Sequence, residues 1–234
     1  MTATLALIDA TWPAAGYAQA GGFTIREGQG GGSRVSAATT DAAFSQTDIA
    51  AAEAAQSALG QAPLFMIRDG QEALDRALAM RGYRVKDPVA LYAAATASLA
   101  DPAPDPMSAF TIWPPLEIMR DLWAEGGIGP ARLAIMERVT GPKTAIMGRA
   151  RDRVSGAAFV AVDGARAMLH ALHVTAAQRR QGSAVNIMRR AALWAQDHGA
   201  TELFLAVTKH NLAANALYAS LGMRIVGHYH YRSI

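Results

Sequence analysis

The sequence predicts a mixed α/β (α+β) fold: a central mixed sheet flanked by helices, preceded by a smaller lobe. Three observations lead there. From residue 108 onward, strand-like and helix-like stretches alternate in the order β-αα-βββ-α-β-α-β, separated by turn signals. Just before that half runs Asp101-Pro102-Ala103-Pro104-Asp105-Pro106. Alternating proline and aspartate can continue neither a helix nor a central strand, so this segment reads as a stiff linker. Finally, residues 46–85 can be laid on residues 186–225 at a constant offset of 140 without a gap. A chain of 234 residues can bury a real core as one large domain or two small ones.

The elements follow in order. Thr111-Ile112-Trp113 suggests a short strand, and Pro114-Pro115 opens a helix to about Trp123. A second helix is expected over 130–139. Residues 143–150, 154–162 and 165–174 read as three strands, with turns near Asp152 and at Asp163-Gly164. Then come a helix over 183–198, a strand over 202–207, a helix over 212–221 and a last strand over 224–232. In the first of these helices Ala184, Ile187, Met188, Ala191, Trp194 and Ala195 recur at three- and four-residue spacing, which gives one buried stripe. A buried stripe pins the helix start in place.

The offset of 140 pairs identical residues at Ala51, Ala52, Ala55, Gln56, Ala73, Ala79, Gly82 and Arg84. Most are alanines, so the matched order is the better evidence: a helical stretch, the strand Leu64-Phe65-Met66-Ile67, then a helix ending at Gly82. On this register Gln71 faces Asn211, Leu78 faces Tyr218, and Ala42, within residues 39–44, faces Gly182.

Two motifs carry chemistry. After the strand ending near Val174 comes a short basic loop, Arg179-Arg180-Gln181-Gly182-Ser183-Ala184, which leads into the buried-stripe helix. The first turn of a helix has N–H groups without intrahelical partners, and its dipole favours negative charge. Small residues at Gly182 and Ala184 let a phosphate come close, and Arg179 and Arg180 add charge. Downstream, Asn211-Leu212-Ala213-Ala214-Asn215-Ala216-Leu217-Tyr218-Ala219-Ser220-Leu221-Gly222-Met223 reads as a helix capped by Asn211 and stopped by Gly222. Residues 211, 214/215 and 218 then share a face.

Arg-x-x-Gly-x-Ala followed by Asn-x-x-Ala-x-x-Leu-Tyr-x-x-x-Gly-Met resembles the GNAT N-acetyltransferase superfamily, over roughly residues 108–232. Met223 departs from the aromatic residue usual there, which bears on packing more than on chemistry. The resemblance implies a GNAT-like sheet and direct transfer of acetyl from acetyl-CoA to a primary amine of a small molecule or peptide. It implies that Val174, Arg179, Arg180, Gln181, Gly182, Ser183, Ala184 and Asn211 hold the cofactor and that Tyr218 protonates the departing thiolate. Residues 1–100 would be a degenerate GNAT-like lobe, 101–107 a linker and 108–234 the catalytic domain. The alternative function is an acetyl-CoA-binding sensor that transfers nothing; the intact Tyr218 motif argues against it.

Composition excludes several other classes. Hydrophobic residues make up 51% and charged residues 18%, an ordinary globular balance. With no cysteine there is no disulfide framework, thiolate zinc site or cysteine nucleophile. The net charge of +3 is dispersed, unlike the clustered charge of a nucleic-acid binder. Arg149, Arg151 and Arg153 read as a solvated hairpin. The N-terminus lacks the basic region of a signal peptide, and no apolar stretch is long enough to span a bilayer. A cytoplasmic protein is therefore expected, with an amine substrate, no nucleic-acid or membrane partner, and room for a homodimer.

Other features read more plainly. Gly28-Gln29-Gly30-Gly31-Gly32-Ser33 lacks the endings of a phosphate loop and is expected as a flexible hairpin tip between 23–27 and 34–38. His228 and His230 share one face of the last strand, but no further metal ligand is evident, so no metal is expected. His170 and His173 precede the anion loop, and strand alternation would turn them to opposite faces, so at most one would line a cleft as base.

Overall fold

The structure is a computed structural model that describes residues 2–234. In chain order the elements are α1 (Thr2–Thr11), β1 (Gly16–Ala20), β2 (Phe23–Glu27), a 3-10 turn (Ser33–Val35), α2 (Gln46–Ala58), β3 (Leu64–Arg68), α3 (Glu72–Met80), β4 (Arg84–Ala95) and α4 (Thr96–Ala100). The second half continues with β5 (Ala109–Ile112), α5 (Glu117–Glu125), α6 (Pro130–Arg138), β6 (Lys143–Ala150), β7 (Arg153–Asp163) and β8 (Arg166–Val174). After a further short turn come α7 (Ser183–Asp197), β9 (Glu202–Thr208), α8 (Leu212–Ser220) and β10 (Arg224–Ser233). The order expected after residue 108 is therefore the order observed.

Eight strands form one mixed sheet in the order β3-β10-β4-β9-β8-β7-β6-β5. Every neighbour is antiparallel except β8 and β9, which run parallel. Beside a separate two-stranded sheet of β1 and β2, both halves of the sequence share the larger sheet, with β4 lying between β10 and β9. The offset of 140 relates the bounds of α3 and α8 (72 and 212, 80 and 220) and the starts of β4 and β10 (84 and 224). It relates the strand pairing as well. Arg224 faces Ala93 where Ser233 faces Arg84, and Tyr229 faces Arg68 where Thr208 faces Val89.

Helices cover both faces. On one face Ile187, Met188, Ala191, Ala192 and Ala195 of α7 pack with Ala158, Val160 and Leu169 and with Tyr92 and Tyr218. Each large side chain so buried is worth about 1.5–3 kcal/mol. On the other face Trp123, Met119, Ile135 and Trp12 cover Phe159 and Ala157. There α1, which the sequence reading did not anticipate, also buries Leu5, Leu7 and Ile8 against Val89, Leu91 and Tyr229.

The expected glycine hairpin is reduced to one antiparallel bridge, between Thr24 and Thr39. β2 pairs with β1, and residues 33–35 form a 3-10 turn instead of a strand. The loop between is packed. Gln61 Oε1 accepts from the Gly28 N–H at 2.7 Å, and a Cβ on Gly31 would lie 2.5 Å from Ile135 Cδ1 of α6. Glycine is needed here for close approach, not for flexibility.

Candidate active site

The basic loop 179–184 runs from the end of β8 into the start of α7. Gly182 takes the left-handed conformation (φ +80°) at the start of α7, and no side chain caps the helix there. Its first helical hydrogen bond runs from Asn186 N–H to Gly182 C=O at 3.0 Å, so the N–H groups of residues 183–185 have no intrahelical partner. The Ser183 hydroxyl is buried beside them without a hydrogen-bond partner. Arg179 Nε donates to the Val174 carbonyl at 3.3 Å, tying the loop back to β8. Arg180 and Gln181 line an open groove of about 500 Å³ together with Arg149, Arg151 and Asn186. Two of the three arginines expected in a solvated hairpin thus share a groove with Arg180 and Gln181.

β8 and β9 pair only from Arg166–Glu202 to Leu169–Leu205, and then they diverge. β8 bulges beyond that point. Ala171 has φ +54°, and two residues oppose one of β7 between the His170–Phe159 and His173–Ala157 pairs. The Trp123 indole N–H donates to the Ala171 carbonyl at 2.8 Å and holds the bulge. The β9 residues Ala206, Val207 and Thr208 turn their other edge to β4. A gap therefore opens between Ala171–Val174 and Ala206–Thr208.

The bulge also corrects an expectation. His170 and His173 face the same side of the sheet, because their cross-strand partners Phe159 and Ala157 both belong to the core under α5 and α6. His170 is buried, stacked on Trp12 at 4.8 Å, with Arg34 Nη1 3.1 Å from Nδ1 and Thr11 Oγ1 2.9 Å from Nε2. Arg34 can only donate, so Nδ1 accepts and Nε2 carries the hydrogen. Burial first, then Arg34, hold its pKa well below the usual histidine value. A neutral histidine with both nitrogens engaged has no free lone pair for a substrate proton. His173 keeps a buried Nε2 without a hydrogen-bond partner, 4.0 Å from Glu125.

Tyr218 is buried on the α7 side of the sheet, with its ring 5.7 Å from that of Tyr92. Burial, and then Tyr92, push its pKa up to about 12, so it is fully protonated at neutral pH. Asn211 caps α8 by accepting from Ala214 N–H at 3.1 Å, so its carboxamide oxygen is already engaged.

Across the sheet from α7, a cavity of about 250 Å³ opens at the same gap. Its wall includes Ala171 and Ala206, with Arg34, Tyr229, Tyr231 and Arg132. Sequence reading found none of those four. The one available signal was Tyr229 and Tyr231 alternating with His228 and His230 on the last strand. The histidines point the other way: His230 Nε2 lies 2.7 Å from Asp75, and His228 lies 3.9 Å from Asp69. Among the described residues no group of three or more His, Cys, Asp or Glu side chains is arranged to hold a metal. Among them, too, no helix is long and apolar enough to cross a membrane.

Residues 117–223 match the model of the Acetyltransferase (GNAT) family. That match lies in the second half and spans a little under half of the chain. Along 97% of its length it is 28% identical to the uncharacterized N-acetyltransferase YobR of Bacillus subtilis (strain 168), of which it covers 95%. The fold is shared with a GCN5-related N-acetyltransferase from Kribbella flavida (TM-score 0.73, 14% identity, 99% of this chain and 94% of that one). It is also shared with a tandem GNAT protein from the clavulanic acid biosynthesis pathway (TM-score 0.63, 15% identity, 85% and 74%). At such identities the likeness is one of fold. In this chain the mixed sheet carries β4 of the N-terminal half between β10 and β9.

Proposed function

We propose that this chain transfers the acetyl group of acetyl-CoA to a primary amine. The observation that carries the reading is the alignment of three features along one path. These are the uncapped start of α7 on one face, the gap between β8 and β9, and the half-open cavity on the other face. Acetyl-CoA supplies the acyl group as a thioester and leaves as the free thiol. The residues present fit it: N–H groups of 183–185 and the orphaned Ser183 hydroxyl would meet phosphate oxygens, and in the adjoining groove Arg149, Arg151 and Arg180 outnumber Asp105 and Asp152, the latter paired with Arg149. Val174, at the end of β8, and the edge of β9 offer backbone groups along the gap.

The amine reaches the gap from the cavity and attacks with its free lone pair. The Tyr218 hydroxyl gives its proton to the departing sulfur and regains one from water, while the amine releases its surplus proton to solvent. Catalysis rests mainly on alignment of the two reactants, with proton donation completing transfer. A thiol-release assay with acetyl-CoA against amino acids, polyamines, aminoglycosides and peptide N-termini tests the reading. Cofactor binding without thiol release from any amine would instead favour a sensor.

We further infer that β3-α3-β4, with α2 before it, is a GNAT-like unit without cofactor chemistry. The pairing symmetry at an offset of 140 supports this. So does the start of α2, where Asp48 and Ser45 form a capping box that occupies the helix end from within.

A further inference from the structure

Arg34 has an unusual environment for a cation. It lines the cavity at the gap between β8 and β9, with its Nε buried and without a hydrogen-bond partner. Burial works against its charge, and the Tyr229 and Tyr231 phenols, placed to accept from the guanidinium, support it. Its neighbour His170 is neutral and offers only a lone pair. Tyr229, 3% exposed, lines the same cavity, and its buried hydroxyl, close to Arg34 and Tyr231, makes no well-formed hydrogen bond to either. A guanidinium cannot shed its proton, and an unpaired buried cation or phenol is expensive.

The surroundings hold Arg34 in place. Gly31 packs so closely on Ile135 that the loop carrying Arg34 cannot lift from α6 without losing that contact. Thr11 and His170 then fix one side of the guanidinium in a chain of hydrogen bonds that ends on the Leu7 carbonyl. The charged wall of the cavity is Arg34 and Arg132 against Asp87, an excess of one positive charge with His170 neutral. Two orphaned donors and a net positive wall are complementary to a carboxylate, which accepts from a guanidinium fork and a phenol at once. About 250 Å³ is below the range of about 300–1,000 Å³ typical of drug-sized ligands, so the occupant is small.

We propose that the acceptor is a small amine that bears a carboxylate, an amino-acid-like molecule whose carboxylate sits against Arg34 and Tyr229. This deepens the acetyltransferase reading and rests on it. The glycine-rich loop thereby has a function: it delivers Arg34 to the acceptor.

The test compares each of the standard L-amino acids with its own primary amide, in thiol release with acetyl-CoA and in equilibrium dialysis against the protein saturated with CoA. The acids should outperform the amides by about 10–10²-fold in kcat/KM and in affinity, the range expected for hydrogen bonds to a charged group. Arg34→Gln should erase that preference, and Arg34→Lys should restore part of it. Amides that serve as well as acids would overturn the proposal, as would failure to bind any amino acid while acetyl-CoA binds. An equal loss for acids and amides in Arg34→Gln would overturn it too, by making Arg34 a partner of the thioester. The wild-type comparison decides even if a variant does not fold. Absence of acetyl-CoA binding would instead count against the acetyltransferase reading itself.

Discussion

At equivalent places in the two β-α-β units, Arg232 grips Asp75 through two hydrogen bonds of 2.7 and 2.9 Å, while Tyr92 donates to Asn215 at 3.1 Å. Each pair joins the helix of one unit to the strand that the other unit contributes. The frame is the same and the side chains differ. The loop entering each helix is closed alike, from Gln71 N–H to Arg68 and from Asn211 N–H to Thr208. Each helix also ends alike, on the Leu78 and the Tyr218 carbonyl. The differences are concentrated where a cofactor would bind. α2 begins with its own carboxylate folded over its N-terminus, whereas α7 begins with a left-handed glycine and nothing over it. Leu78 is a fully buried core residue, and Tyr218 brings a hydroxyl to the same position. The comparison teaches that the β-α-β frame is stabilised by backbone pairing and apolar packing, while an acyl-transfer site needs an open helix start and a proton donor as well.

The largest effect is expected from closing the open end. Gly182→Glu forces a side chain into the left-handed region, a strain of about 1–2 kcal/mol, and sets a carboxylate where an anion should bind. Calorimetry should then find no acetyl-CoA binding to a protein whose circular dichroism is unchanged. Tyr218→Phe should keep cofactor affinity and lower kcat and kcat/KM together by about 10²–10⁴-fold, the usual contribution of general acid catalysis. The loss should shrink for an acyl donor with a more acidic thiol. At the equivalent position, Leu78→Ala should cost about 2–5 kcal/mol of stability in denaturant unfolding and leave turnover per folded molecule untouched.

The smallest effect separates the two cross-unit pairs by pH. Arg232 first, with His230 also contributing, holds the Asp75 carboxyl below its ordinary range, although burial opposes this. A carboxyl with a depressed folded pKa contributes stability above its unfolded value, near 4, and loses it as pH falls through the folded value. Asp75→Asn makes this pair resemble the Asn215 pair. The melting temperature of that variant should fall less steeply below about pH 4 than that of the wild type. An identical acid limb would mean the ion pair contributes nothing to the difference.

Much of the second half was legible in the sequence. Turn residues such as Asp163-Gly164 and the stripe through Ile187 and Ala191 encode local structure, and the strand, helix and loop bounds followed. The offset of 140 was legible for the same reason, since both units repeat one spacing. What the sequence hid is long-range. Nothing local says that β4 inserts between β10 and β9, because either unit could have closed its own sheet. The bulge at Ala171 reset the alternation that would have separated His170 from His173. Arg34 lies 136 residues from His170, and a glycine run reads as flexible until α6 is seen packed on it. The cofactor side of the candidate site lies largely within two contiguous motifs, whereas its acceptor side is assembled from the end of α1, the glycine loop, α6 and four strands.

The most direct test of the contrast between the two units is the stoichiometry of acetyl-CoA binding, measured by calorimetry on the full chain. One open helix start and one capped one predict a single site per chain, lost in Gly182→Glu. Two sites per chain, or one site that survives that substitution unchanged, would contradict the account.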